Sequence, residues 1–337
     1  MNILRWQEAK YPAAFASAFT ENPLYQPQSL RYYQAYYADE FTELSFAVVL
    51  AGKVLARVFL TVRQQQLSYF GLPLVWYLNP EVDPQQQQGA FKVLCKELNK
   101  LRQQHQVVGI RYQQAAGNAD LFTEYLLEQG FSAQVRWQLQ LDLTQPVEAL
   151  WQQLRAVYHS NIQFGQQQLQ YQLLSATPTI APSYPNTPAQ IASWQAPSAQ
   201  CLASMQSFHI AIAGRETRSD LSWREQEQML QTGEAFALLG VTDQQQLVST
   251  GLFIFNSVRC YYGVGVYERS LFEHPISHDL VWRGILQAKA LGCVWFEFGD
   301  IPFSGQLLGD ALPSAKEVNI GHFKRGFGGL LVAVLQF

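Results

Sequence analysis

Two stretches of this 337-residue chain carry one pattern about 190 residues apart, and that repeat restricts the fold more than any other feature. Phe46-Ala47-Val48-Val49 is matched by Phe236-Ala237-Leu238-Leu239, and Tyr69-Phe70-Gly71 by Tyr261-Tyr262-Gly263. The same order of elements surrounds each anchor: hairpin, strand, helix, strand. A solenoid repeats every ~20–50 residues, so this period is too long for one. It predicts a duplicated α/β (α+β) domain, each copy a mixed twisted sheet flanked by helices. We place the copies at 1–145 and 146–337. The alternative is that hairpin, strand, helix and strand recur in the two halves independently.

In the first half, residues 46–60 predict a hairpin around Gly52-Lys53, and 66–78 predict a further strand. Phe91, Leu94, Cys95, Leu98 and Leu101 share one face of a helix over 86–103. A strand at 107–112 and a helix at 119–129 follow, the helix ending at Gly130. Alternation of Val135, Trp137, Leu139, Leu141 and Leu143 predicts a half-buried strand. Helices at 10–19 and 28–38 would open this half. In the second half, 236–241 and 247–255 predict a hairpin, and 260–266 the next strand. A helix over 278–291 with Ser277 as N-cap and Gly292 past its end, then a strand at 293–298, complete the match. Before them come a helix at 147–162, a proline-rich excursion at 176–200, a helix at 199–213, and a helix at 223–232 opened by a Ser222–Glu225 capping box.

Hydrophobic residues make up 48% of the chain and charged residues 15%, which supports a full core and excludes a disordered chain. The net charge of −3 supplies no overall basic field for DNA. Arg5, Glu8 and Lys10 interrupt the N-terminal stretch, which therefore predicts no signal peptide. No apolar run approaches the ~20 residues of a membrane helix. These features predict a cytoplasmic protein and leave peripheral membrane contact open. Cys95, Cys201, Cys260 and Cys293 lie apart in apolar sequence and read as reduced core thiols. No H-x-E, H-E-x-x-H or Cys/His cluster occurs, so no metal is expected. The glutamine runs at 64–66, 85–88, 166–168 and 244–246 read as solvated filler.

Three segments of the second half carry a family resemblance. The first runs from Leu143-Thr144 through Leu150-Trp151 to His159-Ser160-Asn161-Ile162. The second runs from Leu280-Val281-Trp282 through Gly292 to Phe296-Glu297-Phe298-Gly299. The third, the most specific, is Phe323-Lys324-Arg325-Gly326-Phe327-Gly328-Gly329. Together they resemble the FemAB/FemX group of aminoacyl- and acyltransferases, which are bacterial proteins of tandem GNAT fold. The resemblance spans roughly residues 143–329; the first half joins by its repeat alone. Two departures stand out. Arg155 is the one basic residue near Asn161-Ile162, where the family carries more arginines, and Glu297 replaces the family's usual Asp.

The resemblance implies a fold of two GNAT-like domains and transfer of an acyl or aminoacyl group onto a cell-envelope (peptidoglycan) precursor. Phe323 and Lys324 would line the substrate groove, and Tyr261 and Tyr262 would lie on the strand that faces the acceptor, one pointing to each side of the sheet. From the residues themselves, the Lys324-Arg325 pair within a glycine-rich turn offers cations for a phosphate or an oxyanion. An exposed pair in a β-hairpin is the alternative. Glu297 and Asp300 end a buried strand, where a general base would stand. His322 adjoins Phe323-Lys324 and could serve as the base instead, a bystander histidine being the alternative, and Arg155 is a further candidate for the substrate. His274 and His278 read as caps at a helix start. The CoA-type loop is poor: the nearest match is Gln86-Gln87-Gln88-Gly89-Ala90-Phe91, and residues 267–279 contain no glycine. No Ser or Cys nucleophile motif is present, so attack on the acyl carbon would be direct.

The expected function is thus an acyl- or aminoacyltransferase acting on an amine or hydroxyl of an envelope precursor or sugar. No cofactor is expected to be tightly bound, and the donor is aminoacyl-tRNA or acyl-CoA, undecided. Two alternatives stand beside it: a non-catalytic binding or assembly module, and an acetyl-CoA-dependent N-acetyltransferase.

Overall fold

The hairpin that anchors the sequence repeat forms in both halves. The computed structural model describes residues 1–5, 21–37, 40–181, 184, 193–271, 273–309 and 311–337, and the helix expected at 10–19 lies outside them. The chain divides into two units. The first holds 1–5, Tyr37–Arg136 and Ala333–Phe337; the second holds Glu21–Tyr36 and Trp137–Val332. The helix expected at 28–38 forms as α1 (Pro27–Tyr36) but packs in the second unit. The reason is a set of contacts with residues far along the chain. The amides of Gln28 and Ser29 at the positive end of α1 donate to the Glu234 carboxylate at 3.1 and 3.2 Å. Tyr32 is buried with Leu202, Met205 and Trp223. Arg218 Nε donates to Tyr32 Oη at 3.1 Å, and Ser219 Oγ to the Ala35 carbonyl at 3.1 Å.

The first unit contains β1 (Asn2–Arg5), β2 (Thr42–Glu43), β3 (Phe46–Leu50), β4 (Lys53–Phe59), β5 (Thr61–Arg63), β6 (Gln66–Ser68), β7 (Val75–Leu78), β8 (Gly109–Ile110) and β9 (Gln113–Ala115). They form sheets of order β1-β3-β4-β7 and β2-β5-β6-β8. The β3–β4 turn centres on Ala51 and Gly52, both at positive φ (49° and 80°), one residue before the expected position. Helix α2 (Pro84–Gln104) starts with Pro84 behind the N-cap Asp83. It buries Ala90, Leu94, Leu98 and Leu101 against Phe46, Val48, Leu55 and Val58. Helix α3 (Leu121–Glu128) is capped by Asp120, which also accepts from Trp76 Nε1 and Tyr112 Oη at 2.8 and 2.6 Å. Residues Val334–Gln336 pair with β9.

From β10 (Gln134–Asp142) onward the second unit follows. The helix expected over 147–162 is two helices, α4 (Val147–Gln152) and α5 (Ala156–Gln168). Arg155 breaks it: its backbone leaves the helical region, at φ −55° and ψ 136°, and its amide donates to the Gly326 carbonyl at 2.8 Å instead of closing a helical turn. Strands β11 (Gln170–Leu174) and β12 (Ser193–Gln195) precede α6 (Ala199–Ala213) and α7 (Asp220–Thr232). Helix α7 starts three residues earlier than expected. Ser219, not Ser222, is its N-cap, accepting from the Ser222 amide at 3.2 Å. The rest is β13 (Ala235–Val241), β14 (Leu247–Phe255), β15 (Arg259–Tyr267), α8 (Ile276–Ala290), β16 (Trp295–Asp300), α9 (Ala315–Arg325) and β17 (Leu330–Gln336). The strands of this unit run in the order β12-β11-β13-β14-β15-β16-β10-β17. Among the described residues no helix is long and apolar enough to cross a membrane.

Helix α8 is buried on nearly every side, with Leu280, Trp282 and Ile285 in the core beside Phe253 and Phe296. It passes so close to α5 that a Cβ on Gly165 would lie 2.5 Å from that of Asp279. Asp279 is fully buried and accepts from Arg283 Nε at 2.9 Å, and the Arg283 guanidinium lies 4.5 Å over the Tyr171 ring. Burial outweighs the arginine and pushes the Asp279 carboxyl from 3.8 up to about 6. Between those values the folded protein holds a proton that the unfolded chain has released. The stability from this group is therefore complete below pH 3.8 and is lost as pH rises through about 6. Asp279→Asn should remove that slope. Because the fold favours the uncharged carboxyl, the variant should compare best with wild type above about pH 6, where the wild-type carboxyl is charged. Urea unfolding of both proteins across this pH range checks both effects.

Candidate functional site

Strands β15 and β16 run parallel and pair from Arg259 opposite Trp295 to Tyr261 opposite Glu297, where the pairing ends. Each strand bulges in its other ladder near this point. On β15, Val264 faces Leu252 and Tyr262 faces Phe253, which leaves Gly263 unmatched. On β16, Glu297 faces Gln140 and Gly299 faces Leu139, which leaves Phe298 unmatched. Bulges re-aim backbone and side chains and commonly lie beside active sites. Beyond the parting, β15 presents the exposed glycines Gly263 and Gly265, so its backbone is accessible to a ligand.

Helix α9 delivers Lys324 to this parting. Its Nζ donates at 2.5 Å to the carbonyl of Phe298, the residue the bulge leaves without an opposite number on β10. An ammonium has three donors. Among the described residues, Nζ makes no second hydrogen bond. Burial lowers the Lys324 pKa, and the carboxylate of Asp300 opposes that shift. Asp300 is exposed at the strand end and accepts from Gln138 Nε2 at 3.1 Å. Tyr261 leans across the parting, its Oη 3.0 Å from where a Cβ on Gly299 would stand. Glu297 is anchored: it accepts from Arg259 and from Gln140 Nε2, the latter at 3.1 Å. Burial raises its pKa, and Arg259 counters.

A second grouping surrounds the end of α9. Arg155 Nη1 donates to His322 Nε2 at 2.8 Å, which engages the lone pair a base would need, and Nη2 donates to the His322 carbonyl at 3.2 Å. Tyr158 Oη donates to the Phe323 carbonyl at 2.9 Å. The Phe323 ring lies 5.2 Å from the ring of His278, which also stands edge-on to Tyr158 at 4.3 Å. Burial depresses His278 to about 4, so it is neutral at pH 7. Its Nε2 then accepts from Asn161 Nδ2 at 3.3 Å, and its Nδ1–H points to the Pro275 carbonyl at 3.3 Å; His278 is thus packed among rings as well as lying at a helix start. The Arg325 guanidinium lies 4.8 Å over Phe303. Tyr262 belongs to neither grouping. It is stacked on Phe253, shares a hydrogen bond of 2.7 Å with Tyr267, and burial pushes its phenol up to about 12.

One local expectation is corrected. Lys324-Arg325 lie in no flexible turn or hairpin but in the last turn of α9, which a Ser314–Glu317 capping box opens. The glycines that follow serve packing. A Cβ on Gly326 would overlap the Tyr158 ring; one on Gly328 would lie 2.7 Å from Gln153 Cβ, and one on Gly329 2.6 Å from the Gln140 carbonyl. Gly328 and Gly329 also hold φ of 81° and 92°. The poor match at Gln86–Phe91 forms the opening turns of α2 and no loop. Asp83 already accepts the Gln86 amide at 2.9 Å, so a carboxylate occupies the place a pyrophosphate would need.

Gln138, Gln140, Arg259 and Tyr158 were not singled out from the sequence. For the glutamines a signal was present: they alternate with Leu139 and Leu141, which puts them on the face away from the core. Tyr158 was hidden in the apolar stripe of its helix.

No protein-family model matches the sequence, and no curated protein is similar to it by sequence. Solved structures are similar in fold. FemX covers 91% of this chain and 90% of its own, with a TM-score of 0.57 at 12% identity. The L-PGS of Bacillus licheniformis covers 94% and 92%, with a TM-score of 0.54 at 11% identity. A tandem GNAT protein from the clavulanic acid biosynthesis pathway covers 88% and 83%, with a TM-score of 0.51 at 12% identity. The chain therefore has the FemAB-like tandem GNAT fold, the fold of known acyltransferases.

If the glycines after Lys324 are set by packing, Gly326→Ala and Gly328→Ala should each destabilise the second unit by about 1–3 kcal/mol. Thermal unfolding of the two variants tests this.

Proposed function

We propose that the chain is an acyl- or aminoacyltransferase whose reaction takes place where β15 and β16 part. The observation that carries this is the Lys324 ammonium on the Phe298 carbonyl, with donors to spare where the β15–β16 pairing ends. The acyl carbonyl of the donor lies at the parting. An amine or hydroxyl of the acceptor attacks its carbon and loses a proton to the Asp300 carboxylate, directly or through water. As the tetrahedral oxyanion forms, Lys324 donates a hydrogen bond to it. The oxyanion then collapses, the bond to the leaving oxygen or sulfur breaks, and that atom takes up a proton. Binding both partners in one place supplies the remaining acceleration. Tyr261, with its ring over Gly299, borders the acceptor, and Glu297 holds Arg259 in place. The acceptor is an envelope precursor or sugar, and the donor is aminoacyl-tRNA or acyl-CoA.

A second reading, a non-catalytic binding module, draws on Glu297 and His322, two carriers of protons that are both held by arginines. Donor binding and transfer separate the readings. Purified protein is incubated with labelled acetyl-CoA and, separately, with charged tRNA. Transfer from either should fall roughly 100–1,000-fold in Lys324→Met, and at least about 100-fold in Asp300→Asn. Glu297→Gln should lower stability more than turnover. Binding of neither donor would favour the module, and binding of acetyl-CoA alone would make the protein an N-acetyltransferase.

A further inference from the structure

We infer that Tyr158 and Arg155 are positioning residues, which fix the last turn of α9 and so set the Lys324 ammonium on the Phe298 carbonyl. The inference rests on Lys324 being the cation of the site.

A helix leaves its last four carbonyls without intrahelical partners, and such ends fray unless something holds them. In α9 the amides of Gly326, Phe327 and Gly328 donate to the Phe323, Lys324 and Arg325 carbonyls at 3.0, 3.1 and 3.2 Å, and the end is held from outside the helix as well. The Phe323 carbonyl, one peptide before Lys324, accepts from Tyr158 Oη at 2.9 Å, and the His322 carbonyl accepts from Arg155 Nη2 at 3.2 Å. The Arg155 amide adds a bond to the Gly326 carbonyl at 2.8 Å. Carbonyls on both sides of Lys324 are therefore tied to the start of α5.

The tie is stiff. Tyr158 is buried, and its ring fills the space a side chain on Gly326 would need. The rings of His278 and Phe327 stand edge-on to it at 4.3 and 5.1 Å. The hydroxyl of a ring so confined has little choice of partner. The Arg155 guanidinium lies 5.2 Å over the same ring, and its charge meets the negative end of the α9 dipole. Lys324 itself needs this support. It is a flexible side chain, and one hydrogen bond holds its Nζ.

The test is a readout at Lys324 itself. The folded full-length chain is labelled with an amine-reactive reagent at one mildly alkaline pH, and the rate at each lysine is followed by peptide mass spectrometry. Lys289, bonded to the Leu143 and Gln145 carbonyls, and Lys316, exposed on α9, serve as internal references. Tyr158→Phe keeps the ring and removes the hydroxyl. It should raise labelling of Lys324 roughly fivefold, the factor for loss of one ordinary hydrogen bond. Lys289 and Lys316 should be unchanged. Arg155→Gln should do the same, and in both variants kcat should fall with KM unchanged. Unchanged labelling of Lys324 in both variants overturns the inference, and so does a parallel rise at Lys289, which would mean general loosening. Lys324→Met separates this from the proposed function. If it retains full transfer while Tyr158→Phe still raises Lys324 labelling, the site assignment fails and the positioning stands. If it abolishes transfer while the other two variants behave as wild type, the positioning fails and the site assignment stands.

Discussion

The close approach of the Tyr158 ring to Gly326 governs the second unit. It leaves no room for a side chain at 326, and the Arg155 amide bonds the carbonyl of that same residue. The helix of 147–162 must break there, and α9 must stop there. From that junction the last turn of α9 acquires its outside partners, and Lys324 reaches the carbonyl of Phe298, the residue at the β16 bulge. Two irregularities, a broken helix and a bulged strand, thus meet at one cation.

The repeated order of hairpin, strand, helix and strand was legible because it rests on local signals: short apolar runs along β13 and β14, and a period near 3.6 along α2 and α6. Helix ends marked by Gly130, Gly233 and Gly292 were equally legible, since each holds positive φ. What escaped depends on contacts distant in sequence. The break at Arg155 answers to Gly326, and α1 answers to Glu234; no window around either residue contains its partner. The start of α7 was misjudged because Ser219 and Ser222 are equally good caps and Ser219 won the position.

The candidate site divides the same way. Lys324, Asp300 and Tyr261 were legible as residues, and the structure brings them to one parting of strands. Their setting was not: a sequence shows a lysine beside glycines and suggests a mobile loop, whereas the glycines turn out to be where backbone meets ring. Glu297 and His322 carried the right chemistry, but the sequence does not record that Arg259 and Arg155 hold them. The motif most useful for recognising the fold therefore describes a joint between elements as much as a place for substrate.

The exchange of segments between the two units bears on how the chain is made. Residues 21–36 leave the ribosome early, yet the Glu234 that holds the start of α1 follows some two hundred residues later. The strand Gln113–Ala115 meets its partner only when Val334–Gln336 emerge. Each unit is therefore completed late in synthesis: the first keeps β9 without its partner strand, and the second keeps α1 without its Glu234 anchor, until those later residues have been translated.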